Sequence, residues 1–235
     1  MTFPLSRQKE WLVLVPAMTV PFIAALFYFR LFSDQPVAKF IYVAVKLFNL
    51  SWPLIGSYLF ITAWIPSFSM RDSRHRRAIP LGLLSGLMIV AIMVLGLATP
   101  IGQAVSSSAG RIREKVAEVG IMDHYILFSI FLSFFHSLLE EYYWRWFVFG
   151  NLCQLIKPIG ANLLSALAFA SHHVIVLHEY FPLRWALFFG ASVAVGGVIW
   201  NTMYTKQRTL AGAWVSHLMV DLGIMTIGYV ILFVP

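Results

Sequence analysis

The sequence predicts an all-α, polytopic integral membrane helix bundle of about seven transmembrane helices. Three observations carry that expectation. The 235 residues are 60% hydrophobic and 11% charged, whereas an ordinary soluble domain is about a quarter charged. Apolar stretches recur from residue 11 to the end, each long enough to cross a bilayer core, which takes roughly 20 residues. The basic residues collect in the short loops between those stretches and favour alternate ends of them. No segment is long enough to form a separate soluble unit, so residues 1–235 read as a single transmembrane domain. The net charge of +7 follows from loop arginines and lysines, and nucleic acid is not an expected partner. With Cys153 as the one cysteine, an intramolecular disulfide and a thiolate metal cluster are both excluded.

Taken in order, the first span covers about 11–32, with kinks expected at Pro16 and Pro21, and is read as a retained signal anchor because its apolar run is long for a signal peptide. The second covers about 40–66. Its length allows a tilt or a re-entrant break at Pro53, and its Lys46 is expected to snorkel toward an interface. The basic run from Arg71 to Arg77 marks a loop before a third span at 79–99. Residues 101–122 carry Ala109, Ile112, Val116 and Val119 at helical spacing beside several charges, the pattern of a helix lying in the interface. A fourth span at 124–149 ends at a turn bracketed by Gly150 and Pro158. The fifth, sixth and seventh cover 160–178, 183–204 and 209–233. Gly190, Gly196 and Gly197 offer close helix approach in the sixth. This count puts Arg7, Lys9, Arg71, Arg74, Arg76, Arg77, Lys157, Lys206 and Arg208 on one side, against Lys39, Arg111, Arg113, Lys115 and Arg184 on the other. The N-terminus is therefore expected in the cytoplasm.

The fourth span holds the most informative residues. Glu140, Glu141 and Arg145 lie in sequence otherwise apolar enough for a bilayer, where an ionisable group costs several kcal/mol and is expected to be paired and functional. Glu141 and Arg145 share a helix face at i, i+4, so that pair reads as structural, or as orienting a substrate carboxylate. Glu140 has only His136 at helical spacing and must find other partners on other helices. Counting ~1.5 Å per residue from the cytoplasmic end of each span, Glu140 lies roughly 15 Å deep, His173 roughly 20 Å, His217 roughly 12 Å and Asp221 roughly 18 Å. Four ionisable groups from three helices thus reach one layer, with Phe169 one turn from His173 on the same face. Such a set can activate a water by general-base chemistry or through a metal. His172, about 100° from His173 on its helix, reads as packing or support. Tyr142, Tyr143, Trp144, Trp146 and Phe147 read as an aromatic belt at the interface. His178 and Glu179 read as a solvated pair at the outer end of the fifth span.

The ordered motifs Glu140-Glu141-x-x-x-Arg145, Phe169-x-x-x-His173 and His217-x-x-x-Asp221 resemble the signature of the CPBP family, intramembrane endopeptidases that include type II CAAX prenyl proteases and bacteriocin-processing or self-immunity proteins. The resemblance covers the chain from about 124 to 233. It implies peptide-bond cleavage in or beside the membrane, with Glu140 and His173 activating the water and His217 and Asp221 at the oxyanion or substrate-orienting positions. The implied partner is a membrane-embedded or lipid-anchored protein or peptide in a lipid bilayer, and the short loops lead to the expectation of a bacterial inner membrane. The prenyl-protease branch usually has Asn where this chain has Asp221, so the resemblance leaves a prenyl requirement open. It also leaves open a glutamate-type against a metal-dependent reaction; a metal, if used, would take Glu140, His173 and His217, a set that suits Zn²⁺. In this reading His136, Phe169 and His172 stand behind the reacting groups. The alternatives are a proton-coupled transporter or channel, since buried Glu, His and Asp also build proton relays, and a non-catalytic immunity or scaffold protein of the same fold. The lack of an internal repeat weighs against a transporter.

Overall fold

The computed structural model describes residues 5–32, 35–59 and 73–234. Seven helices among them are long and apolar enough to cross a membrane, the number the sequence predicts. Helix α1 (Leu5–Leu26) runs into a π-helical turn, Phe27–Leu31. It is followed by α2 (Val37–Leu59), α3 (Ser73–Gly96), two short helices α4 (Pro100–Ser107) and α5 (Ala109–Val119), and the long composite helix α6 (Met122–Leu155). The chain closes with α7 (Pro158–Tyr180), α8 (Leu183–Gln207) and α9 (Ala211–Phe233).

Local chemistry sets several of the ends. Thr99 caps α4 by accepting from Ile101 N–H at 3.3 Å, with Pro100 in the first turn where its missing N–H costs nothing. Gly120 (φ 73°) ends α5 in the left-handed conformation that glycine adopts without strain. Pro158 opens α7 and Pro182 stands just before α8. Pro16, Pro21, Pro53 and Pro80 all sit inside helices, which membrane helices tolerate when neighbours satisfy the freed carbonyls. The break allowed at Pro53 does not occur: α2 continues through it to Leu59, and the stretch 60–66 lies outside the described residues.

Two helix pairs form the frame, α7 along α8 and α9 along α3. Apolar surface gains little by pairing in lipid, so such contacts depend on close packing of small residues. Gly197 lies against Ala166 and Gly190 against Val174. Across the other pair, Gly82 lies against the Gly212 backbone, Gly86 against Met219 and Gly223 against Val90. Gly196 does not take the packing role that the sequence suggests, since it faces the ring of Trp200 on its own helix.

Helix α6 runs between these pairs, touching α1, α2, α7, α8 and α9. It alternates geometry: α-helical at Tyr125–Phe131 and Ser137–Glu140, π-helical at Leu132–His136 and Glu141–Phe149, and α-helical again at Gly150–Leu155. π-Segments widen the turn and often accompany functional sites. Here the motif carboxylates stand at such a junction.

Several sequence expectations need correction. The residues from Ser73 to Arg77 form the first turn of α3 rather than a loop, while Arg71 lies outside the described residues. The interfacial segment is two helices, α4 and α5, and Arg113 Nη2 ties it to the end of α9 by donating to Leu232 O at 2.6 Å. The turn expected at Gly150 comes only after Leu155. Of the residues read as an aromatic belt, Tyr143, Trp144, Trp146 and Phe147 are buried among neighbouring helices, and Tyr142 alone is partly exposed, with its hydroxyl 3.3 Å from Leu50 O. His178 and Glu179 lie within α7, with Glu179 paired to Arg30 Nε at 3.2 Å and only 14% exposed.

A candidate active site of carboxylates and imidazoles

The site forms where α6, α7 and α9 meet, with α2 and α8 behind them. Glu140 closes the α-helical turn Ser137–Glu140 and Glu141 opens the π-segment, so the adjacent carboxylates diverge. Glu141 is fully buried. Its Oε1 lies 3.3 Å from Arg145 Nη1, the intrahelical pair that the spacing predicts, and 2.8 Å from His217 Nδ1 on α9. A carboxylate at that distance accepts a hydrogen bond, so Nδ1 of His217 carries the proton. The Arg145 guanidinium, 1% exposed, is covered by the rings of Phe169 at 4.4 Å and Trp200 at 4.9 Å. Aromatic faces offset part of the cost of burying it.

Glu140 is surrounded by imidazoles. Its Oε1 lies 3.3 Å from His136 Nε2 and 3.7 Å from His172 Nε2, and its Oε2 lies 3.7 Å from His217 Nε2. The two longer separations exceed a direct hydrogen bond. His173 Nδ1 lies 2.9 Å from the Phe169 carbonyl one turn back on α7. A carbonyl only accepts, so that nitrogen is protonated and Nε2 keeps its lone pair. Phe169 also packs edge-on against His172, His173, His217 and Trp144, so one buried ring seats three of the imidazoles.

Asp221 is within 3.6 Å of His217 Nε2 through Oδ1, while its Oδ2 is buried without a hydrogen-bond partner among the described residues. The carboxylate that anchors His217 is therefore Glu141, at 2.8 Å, and not Asp221. Three carboxylates (Glu140, Glu141, Asp221) thus share the cluster with the side chains of Arg145 and Lys46.

The donor set that can hold a metal is Glu140, His172 and His173, whose ligand atoms lie within 4.8 Å of one another. This group has His172 where the sequence reading gave His217, whose Nε2 stands 3.7 Å from Glu140 Oε2. Two imidazoles and a carboxylate form a set that zinc accepts, and the His173 bond to a backbone carbonyl is of the kind that orients metal-binding histidines.

The structure adds residues that sequence reasoning did not single out. Trp200 stacks on His217 with ring centroids 4.1 Å apart and planes 16° apart, and its Nε1 donates to Ser216 Oγ at 3.0 Å, which reaches Ser85 Oγ at 3.2 Å. Trp144 stacks on His172 at 5.7 Å. Lys46, expected to snorkel, instead points inward, with Nζ 3.4 Å from His136 Nδ1. Asn201, a polar residue deep in α8, donates to Asn162 Oδ1 at 2.9 Å, away from the site. Ser137 spends its hydroxyl on the Ser133 carbonyl.

Residues 122–223 match the family model described as type II CAAX prenyl endopeptidase Rce1-like. No curated protein and no solved structure matches the chain. The matched stretch contains all three motifs and the whole of the Glu140 cluster except Lys46.

Proposed function

We propose, from the match of residues 122–223 to the family model described as type II CAAX prenyl endopeptidase Rce1-like, that this membrane protein cleaves a membrane-embedded or lipid-anchored protein through a water activated by Glu140 and His173. The observation that carries the reading is the arrangement around Glu140. A buried carboxylate and an imidazole with a free Nε2 face one another, and their other atoms are already committed to His136 and to the Phe169 carbonyl. A water between them loses its proton to Glu140, with His173 accepting a second hydrogen bond that aims the lone pair at the scissile carbonyl. As the carbonyl becomes tetrahedral, negative charge develops on its oxygen. His217 is the group placed to meet it: when protonated at Nε2 it donates, and Glu141 at Nδ1 offsets the resulting positive charge. Asp221, when it carries a proton, adds a second donor. Glu140 then returns its proton to the leaving amine. Arg145 holds Glu141 in place and takes no part in proton transfer.

The Glu140, His172 and His173 group supports a second route to the same reaction. A cation bound there would supply a polarised water, and these residues would be its ligands. We place the loop ends rich in Arg76, Arg77, Lys157, Lys206 and Arg208 in the cytoplasm on the distribution of positive charge, and the protein in a bacterial inner membrane on the shortness of its loops.

The testing experiment compares wild type with Glu140→Gln in the native host by membrane proteomics. A precursor that accumulates only in the variant supports proteolysis and names the substrate. Loss of phenotype with no accumulating precursor would contradict the proposal and turn attention to proton-linked transport.

A further inference from the structure

Lys46 is the tenth residue of the 23-residue helix α2, near the middle of a span, and it lies outside the stretch 122–223. A lysine at membrane depth is costly, and it is retained where it meets a partner inside the bundle. Snorkelling would turn the side chain toward one end of the helix. Instead its Nζ lies 3.4 Å from Nδ1 of His136 and 5.4 Å from the Tyr42 ring centre, and the other ring nitrogen of His136 is 3.3 Å from Glu140 Oε1. A chain of contacts therefore runs from α2 through His136 to the carboxylate.

We propose that Lys46 is a positioning residue that selects the tautomer of His136 and thereby the orientation of Glu140. An ammonium group has three donors and no acceptor. Its contact with Nδ1 requires a lone pair there, which places the single ring proton of His136 on Nε2, the nitrogen facing Glu140. His136 then donates to Oε1 and pins one oxygen of the carboxylate. The other oxygen, Oε2, is left for the water between Glu140 and the imidazoles. Without Lys46 the His136 proton is free to move to Nδ1, and Nε2 would present a lone pair to a carboxylate oxygen. That repulsion would turn Glu140 away from its working position. Through this contact the N-terminal half of the chain, of which the motifs say nothing, becomes part of the site.

The catalytic consequence rests on the peptidase reading, but the tautomer does not, and the two are measured separately. Protein labelled with ¹⁵N-histidine is purified as wild type, Lys46→Met and Lys46→Arg, with the His136 signals assigned by their loss in His136→Asn. The ¹⁵N shifts report which ring nitrogen is protonated. Wild type and Lys46→Arg are expected to show His136 protonated at Nε2 alone, and Lys46→Met a mixture or the opposite tautomer. On the precursor identified in the host, Lys46→Met is expected to lower kcat about tenfold with KM little changed. It should add no further loss in a His136→Asn background, and Lys46→Arg should recover most of the rate. A wild-type His136 protonated at Nδ1 overturns the proposal even if the protein proves to be a peptidase. So does a Lys46→Met loss of the same size in the presence and absence of His136. If the protein has no peptidase activity at all, the spectra still decide the role of Lys46.

Discussion

Nδ1 of His217 lies 2.8 Å from Oε1 of Glu141, the same oxygen that faces Arg145. The second glutamate of the motif thus joins a buried cation to the imidazole of another helix. Glu141→Ala would leave the Arg145 guanidinium buried without its counter-charge and release His217. The expected loss of stability is about 3–5 kcal/mol, read as a lower midpoint in a denaturant titration of detergent-solubilised protein. Glu140→Gln, whose partners are imidazoles and a partly exposed His136, should leave that midpoint close to wild type. The two adjacent glutamates are thereby separated into one that supports the fold and one that supports the chemistry.

Phe169 is expected to behave as part of the machinery although it carries no polar atom. Its ring lies under Arg145 and against His172, His173 and His217. Phe169→Ala should cost about 3–5 kcal/mol as a buried cavity and lower activity further by loosening the imidazoles. Phe169→Leu, which keeps most of the volume, should recover most of the stability but not the full rate. Thermal unfolding and a cleavage assay on the same preparations check both.

Trp200 supports His217 from the other side. Trp200→Phe keeps a ring against the imidazole and loses only the donor to Ser216, a change of about 1 kcal/mol. Trp200→Ala removes the stack, and its effect on kcat should exceed that of Trp200→Phe by tenfold or more while KM changes little. Steady-state kinetics of the two variants provides the comparison.

Much of this site was legible in the sequence, because charged residues in apolar spans are few and the i, i+4 spacing names which of them share a face. Glu140, His173, His217 and Asp221 do meet, as the depth count predicts, and Glu141 pairs with Arg145, as their spacing predicts. The missing parts have physical reasons. Periodicity assumes 3.6 residues per turn, so the π-segment Glu141–Phe149 was invisible, and with it the burial of Tyr143, Trp144, Trp146 and Phe147, which read as part of an interfacial belt. Lys46 was misread because a lysine's long stem permits either an interfacial or an inward position, and only the packing of α2 on α6 decides between them. Trp200 and Ser216 are residue types common in any membrane span, and no spacing marks their contact with His217. The presence of His172 in the metal-capable group depends on how α7 turns its two adjacent histidines toward Glu140, which one-dimensional spacing does not encode.

The α3–α9 contact is expected to control the position of His217. A Cβ at Gly86 would lie 2.6 Å from Met219 Cβ, whereas one at Gly110 on α5 meets nothing within 4 Å. Gly86→Ala should therefore destabilise by about 1–3 kcal/mol through overpacking, and Gly110→Ala should not. Unfolding midpoints of the two variants, measured side by side, check the asymmetry.

Metal dependence separates the two routes to an activated water. Protein purified, dialysed against a zinc chelator and analysed by elemental mass spectrometry is expected, on the glutamate route, to hold no stoichiometric metal and to keep its activity. Stoichiometric zinc, lost together with activity and restored with it, would assign the ion to Glu140, His172 and His173.

The central claim is that Glu140 and His173 together activate the water. Its most direct test is the single-turnover cleavage of the accumulated precursor by purified wild type, Glu140→Gln and His173→Ala in lipid bilayers. General acid–base groups contribute roughly 10²–10⁴-fold, so each variant is expected to be slower by at least about a hundredfold while binding the precursor and unfolding much as wild type does. Cleavage by either variant at a rate within about threefold of wild type would contradict the account.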